Sequence, residues 1–126
     1  MFEISCFVKS KVNWTNKNII SYIGNLEHIR FLKQVPRQDI VIHMAGTTHS
    51  KYFKSYYNGN VKATKILVAH FENLNIKHFI FLSSNTADKD SGGYGLSKLM
   101  AEKVIIGSSI PFTILRISEV YGEGMA

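Results

Sequence analysis

Short apolar runs alternate with helix-forming stretches along this chain, and that alternation predicts an α/β layered domain with a largely parallel sheet. Two further features point the same way. Asp39-Ile40-Val41-Ile42-His43 is a short continuous apolar run of the kind buried on both faces of a parallel sheet. The stretches between the later runs are also long enough for the right-handed crossovers that parallel neighbours need.

Each element follows from its residues. Phe2 to Val8 mixes β-branched and aromatic residues and reads as a strand. Lys11 to Lys17 is polar and too short for a helix, with Trp14 able to cover an apolar edge. Asn18 to Ile23 is a weaker strand stopped at Gly24-Asn25. Leu26, Ile29 and Leu32 lie at helical spacing in a helix over 26–35 that Pro36 ends. The run at Ile40 empties into Met44-Ala45-Gly46-Thr47-Thr48, small residues that let a ligand approach the backbone. After a tyrosine-rich piece, a helix over 60–74 carries the stripe Ala63, Ile66, Leu67, Phe71 and Leu74, with Asn75 as its stop. A strand from His78 to Leu82, a helix from Tyr94 to about Gly107, a strand from Pro111 to Ile117 and a loop from Val120 to Gly124 complete the order.

At 126 residues the chain supports one core and one domain. A net charge of +6 suits an anionic ligand, but the fifteen Lys and Arg are scattered, so nucleic acid is not an expected partner. Cys6 is the only cysteine, which excludes an intrachain disulfide and a cysteine-built zinc site. No His/Cys/Asp/Glu group has metal-ligand spacing, so no metal is expected. No run approaches the ~20 apolar residues of a membrane span and no signal-peptide pattern opens the chain, so the default location is cytoplasmic.

The stretch from Ser83 to Lys98 carries the chemistry. A strand delivers Ser83 and Ser84 at its end, a glycine turn follows, and Tyr94 and Lys98 stand four residues apart, on one face of a helix. A phenol beside an ammonium group can ionise below its usual pKa of about 10. A serine at the adjoining strand end can then hydrogen-bond a substrate hydroxyl or carbonyl. The bland alternatives are a surface Tyr/Lys pair, serines that cap a strand, and Asn60 as a simple helix N-cap. His43 is expected to pack near its strand end rather than act as a base.

Four ordered motifs resemble the extended short-chain dehydrogenase/reductase family, the NAD-dependent epimerases and dehydratases of nucleotide sugars. They are Asp39 to Gly46, Asn60 opening a helix, Phe79 to Ser84 with Tyr94-Gly95-Leu96-Ser97-Lys98, and Leu115-Arg116-Ile117-Ser118-Glu119-Val120-Tyr121-Gly122. The resemblance implies a partial Rossmann-like, doubly wound parallel sheet of about five strands. It implies Tyr94 as catalytic acid/base, Lys98 as the residue that lowers its pKa and holds the nicotinamide ribose, and Ser84 as the substrate hydrogen-bonder. Ala45, Gly46 and Thr48 fall in the loop under the cofactor, and Asn60 and Glu119 fall near the substrate. The cofactor would be NAD or NADP. Lys9, at the end of the first strand where an acidic residue would bind a ribose hydroxyl, leans toward NADP. A homodimer through the helices over 60–74 and 94–107 is a further implication.

The departures matter as much. No glycine-rich turn of the G-x-G-x-x-G type lies before Ile40, so the first strand and phosphate cradle of the family are expected to be lacking. Residues 1–126 would then be a partial dinucleotide-binding domain without the substrate-binding lobe. Either the strands at Ile4 and Ile40 pair directly, in the order 2-1-3-4-5, or backbone groups stay unpaired at an edge. The Ser84–Tyr94 interval is short, Ile117 replaces a common proline, and Glu119 stands where asparagine is frequent and would repel a diphosphate. Two functions follow: a nucleotide-sugar epimerase/dehydratase fragment expected to be inactive as an isolated chain, or a non-catalytic remnant acting through binding or assembly.

Overall fold

The computed structural model describes residues 2–123. Gly124, the last residue of the expected terminal loop, lies outside the described residues. Five strands form: β1 (Ile4–Val8), β2 (Ile19–Ile23), β3 (Ile40–His43), β4 (His78–Ser84) and β5 (Phe112–Ile117). All pairings are parallel, in two sheets: β1 beside β2, and β4 between β3 and β5.

The direct pairing of the Ile4 and Ile40 strands does not occur. β1 and β3 belong to different sheets, each with an open edge. The spatial reason lies in the core. Phe7 of β1 and Val41 of β3 pack on the same buried cluster, so the helical layer fixes where both strands sit, without any ladder between them.

The helical layer is α1 (Phe53–Tyr56), a π-helical segment (Tyr57–Lys62) and α2 (Ala63–Glu72), which run head to tail, then α3 (Gly92–Ile106). Helical backbone angles at Tyr56, Tyr57, Lys62 and Ala63 make the first three one continuous rod. It therefore starts before the expected Asn60. Asn75 has φ of 50°, the left-handed conformation that asparagine tolerates past a helix end.

The stretch expected as a helix over 26–35 is a 3₁₀ helix, Ile29–Gln34. Its apolar residues 26, 29 and 32 recur at a spacing of three, the 3₁₀ period, and only Leu32 of that helix is buried. Trp14 stays largely exposed, with Nε1 donating to Ser21 Oγ at 2.7 Å.

The core joins Phe79 and Phe81 of β4 to Leu67, Val68 and Phe71 of α2 and to Ala101 and Ile105 of α3. Alternation on β4 aims Phe79, Phe81 and Ser83 into this layer. β3 was expected to be buried on both faces, yet Ile40 and Ile42 are 53% and 56% exposed. The described helices pack against the other face, where His43 is buried.

Candidate active site

The site begins at the carboxyl end of β4. Ser84 Oγ accepts a hydrogen bond from the Thr86 N–H at 3.1 Å and lies 2.9 Å from Thr86 Oγ1, while the Ala87 N–H donates to the Ser84 carbonyl at 3.0 Å. This turn reverses the chain toward Gly92, whose φ of 69° suits glycine, and α3 starts there. Tyr94 lies in the first turn of α3, and Ser84 and Tyr94 line one open cleft of about 620 Å³ with Thr48, Thr86 and Glu119. A serine, a phenol and a carboxylate from three separate segments thus share one cleft.

Lys98, one helical turn beyond Tyr94, is buried. Its Nζ donates to the Leu82 carbonyl at 2.7 Å and stands 4.2 Å from the centre of the Phe81 ring. Burial lowers its pKa to about 8, against the opposing pull of the Glu102 carboxylate. An ammonium has three donors, and the carbonyl engages one of them.

Asn60 is buried and holds the site together. Its Oδ1 accepts the Thr47 N–H at 2.7 Å; its Nδ2 donates to the Thr47 carbonyl at 3.0 Å and to Ser97 Oγ at 2.8 Å. Ser97 Oγ in turn donates to the Tyr94 carbonyl at 2.7 Å. The loop after β3 is therefore tied through one amide to the turn that carries Tyr94. Both amide hydrogens of Asn60 are engaged in this way, so here it orients the loop and helix. Thr64 Oγ1 donates to the Asn60 carbonyl at 2.6 Å, within the helical rod. With that hydroxyl hydrogen engaged, His43 Nε2, 3.0 Å from Thr64 Oγ1, must be the donor of its pair. Burial, then the charge of Lys98, pushes the His43 pKa down to about 3. His43 is a neutral packing residue.

Lys9, Ala45 and Gly46 line a second cleft, of about 260 Å³, with Gly24, Asn25 and Glu27. The close approach needs glycine: a Cβ at Gly46 would stand 2.7 Å from Asn60 Oδ1, and one at Gly59 would stand 2.1 Å from Thr47 Oγ1. Glu27 places a carboxylate in the cleft that holds Lys9, which offsets the charge argument for a 2′-phosphate.

Glu102 escaped the sequence reading, in which Ser83 and Arg116 stood within motifs but carried no role at the site. Glu102 is buried on α3; it accepts from Ser83 Oγ and takes a bidentate pair from Arg116, Nε at 3.0 Å and Nη2 at 2.7 Å. This joins β4, α3 and β5 beneath the cleft. The signal was available: Glu102 stands a further four residues beyond Lys98, on the same helix face. Burial works to raise the Glu102 pKa, but the hydrogen bonds from Arg116 and Ser83, with the charges of Arg116 and Lys98, outweigh it and hold the pKa below the ordinary value. A carboxylate with a lowered folded pKa stabilises at neutral pH and loses that contribution as pH falls through the folded value. Glu102→Gln should therefore cost about 1–2 kcal/mol at pH 7, with the gap to the parent closing as pH falls below the ordinary glutamate range and through the lowered folded value. Thermal melts across pH check this; a gap that does not change with pH removes the ionised carboxylate from its role.

Comparison with known proteins gives the family and the fold. The profile of the NAD dependent epimerase/dehydratase family matches residues 10–126, and the chain belongs to that family. No curated protein matches the sequence. The fold is that of the X-ray structure of Pen from Bacillus thuringiensis, 24% identical with a TM-score of 0.82 over 98% of this chain and 45% of Pen. It is also that of the UDP-glucuronic acid 4-epimerase from Bacillus cereus in complex with NAD, 23% identical with a TM-score of 0.71 over 86% of this chain and 41% of the epimerase. The Bordetella bronchiseptica enzyme WbmG in complex with NAD and UDP is 15% identical, with a TM-score of 0.78 over 90% of this chain and 44% of the enzyme. The chain thus spans less than half the length of these structures. Among the described residues no helix is long and apolar enough to cross a membrane, and no group of three or more His, Cys, Asp or Glu could hold a metal ion.

Proposed function

We propose that this chain carries the proton-transfer face of an NAD-dependent epimerase or dehydratase acting on a nucleotide sugar, and that alone it does not run the reaction. The observation that carries this reading is the convergence of Ser84 and Tyr94, from different elements, on one cleft, with Lys98 one turn along the Tyr94 helix. Tyr94 takes a proton from a sugar hydroxyl, or returns one to a carbonyl. Ser84 Oγ holds that oxygen in line. Lys98 keeps one hydrogen bond to Leu82 and does not itself line the cleft of Ser84 and Tyr94; its two remaining donors are the ones this reading assigns to the phenol and the ribose. Since its pKa sits at about 8, this role belongs to pH values below that. Asn60 acts as a positioning residue through Thr47 and Ser97. Glu119 faces sugar hydroxyls rather than the diphosphate, which its charge would repel.

The residues fit NAD in part. Lys9, Ala45 and Gly46 line a cleft that suits one flank of a dinucleotide, and Gly46 and Gly59 let the loop after β3 pack closely on Asn60 and the helical rod beside it. NAD, when bound, supplies the hydride acceptor. The stretch before Ile40 offers no glycine turn whose N–H groups would hold a pyrophosphate. We infer weak capture for this reason, and the open edges of β1 and β3 favour the second reading, a folded domain that works through assembly. Pairing of two copies through α2 and α3 belongs to the same proposal; their exposed residues include Lys65, Ala69, Lys103 and Ile106.

NADH fluorescence titration tests the proposal. The chain should not saturate below about 1 mM; tighter binding sinks the claim of weak capture. Any epimerisation of UDP-glucuronic acid at millimolar NAD should fall about 100-fold or more in Tyr94→Phe. Unchanged turnover removes Tyr94 from the acid/base role.

A further inference from the structure

The tyrosine-rich piece that opens the helical rod carries a side chain to which the proposed chemistry gives no role. Residues 44–50 form neither strand nor helix, so no ladder holds them between β3 and α1. Two side chains of the rod hold them instead. Asn60 grips both backbone groups of Thr47. Four residues earlier, Tyr56 does the same at Ser50: its Oη accepts the Ser50 N–H at 2.9 Å and donates to the Ser50 carbonyl at 3.1 Å. A phenol has one hydrogen to give, and that carbonyl takes it. The two gripped residues bracket Thr48 and His49, which line the cleft of Ser84 and Tyr94, with Thr48 Oγ1 3.0 Å from His49 Nδ1. The Tyr56 ring also reaches α3. A Cβ at Gly93 would stand 3.0 Å from its Cδ2 and 3.1 Å from its Cε2, so the ring lies against bare backbone in the first turn of that helix. Its centre is 6.3 Å from that of the Tyr94 ring, with 60° between the planes.

We propose that Tyr56 is a positioning residue, which locks the loop at Ser50 and sets the Thr48–His49 wall of the cleft against Tyr94. Hydroxyl and ring have separate parts. A clamp at Thr47 alone would leave Thr48 and His49 hinged from one end. The second clamp, three residues on, removes that freedom, so the wall is ordered before any ligand arrives. The ring fixes where the wall stands relative to α3, because it cannot move inward without meeting the backbone of Gly93. Phenylalanine at this position would keep the part played by the ring and lose that of the hydroxyl, leaving the N–H and carbonyl of half-buried Ser50 without this partner. What the wall does for a substrate rests on the proton-transfer reading of Tyr94; the clamp does not.

Amide hydrogen exchange and tyrosine ring resonances of the intact chain test this without any turnover. Tyr56→Phe should speed exchange of the Ser50 amide at least about tenfold, the loss of about one hydrogen bond, and shift the Thr48 and His49 amide resonances. The Thr47 amide, held by Asn60, and the core amides of Phe79 and Phe81 should stay within about twofold. Tyr56→Leu, which also removes the ring, should in addition move the Tyr94 ring resonances. Gly93→Ala leaves the Tyr56 hydroxyl intact and presses on its ring, and should move both the Tyr94 ring resonances and the Ser50 amide. The proposal is overturned if the Ser50 amide exchanges freely in the parent, if Tyr56→Phe speeds Thr47, Ser50 and the core amides alike, as a merely structural loss would, or if Tyr56→Leu leaves the Tyr94 ring resonances where they are. Unchanged turnover in Tyr94→Phe would overturn the acid/base reading alone and alter none of these results.

Discussion

Phe79→Ala should destabilise the domain by about 3–5 kcal/mol, a large share of the roughly 5–15 kcal/mol that keeps a domain folded. Phe79 is fully buried at the centre of the core, its ring edge-on to His43 at 6.2 Å, with α2 and α3 above it. Removing the ring loses its transfer energy and leaves a void that a single helical layer over a short sheet cannot close. Among the described residues no helix covers the other sheet face, so no second layer compensates. Urea unfolding followed by circular dichroism measures the loss, with Ile106→Ala, at a 58% exposed position, as the control expected within about 0.5 kcal/mol. A loss below about 1 kcal/mol for Phe79→Ala would mean that the ring is not part of a packed core.

Gly95→Ala should lower the thermal midpoint by several degrees, through a cost of about 1–3 kcal/mol, although alanine is the better helix former by about 1 kcal/mol. A Cβ at Gly95 would stand 2.2 Å from the Thr86 carbonyl oxygen and 2.6 Å from Ser91 Cβ. The first of these is backbone, so the loop itself must move. That loop carries the turn closed by Thr86 on Ser84, and displacing it draws Ser84 away from Tyr94. The substitution should therefore also shift the Ser84 and Thr86 amide resonances. A midpoint equal to or above that of the parent would show that α3 does not press on the loop.

Much of this was legible in local order. The strands at Ile4, Ile19, Ile40, His78 and Phe112 announce themselves by β-branched and aromatic runs, and α3 by its spacing. Ser84 and Tyr94 were legible as a pair because strand, glycine turn and helix follow one another within a few residues. The 3₁₀ helix was misread because a spacing of three fits two helical periods over so short a span. Glu102 was missed because a carboxylate on an amphipathic helix looks solvated until Ser83 and Arg116 are seen to reach it.

The sequence by itself determined the element order, the parallel α/β class and the candidates at Ser84, Tyr94 and Lys98, since these depend on short-range periodicity and spacing. The tertiary structure alone decided that β1 and β3 stay unpaired, that Asn60 binds the loop at Thr47 to the helix at Ser97, and that Lys98 rests on Leu82 and Phe81. Those outcomes depend on where distant segments are held by a shared core, and no local pattern encodes the distance between two strands that never touch.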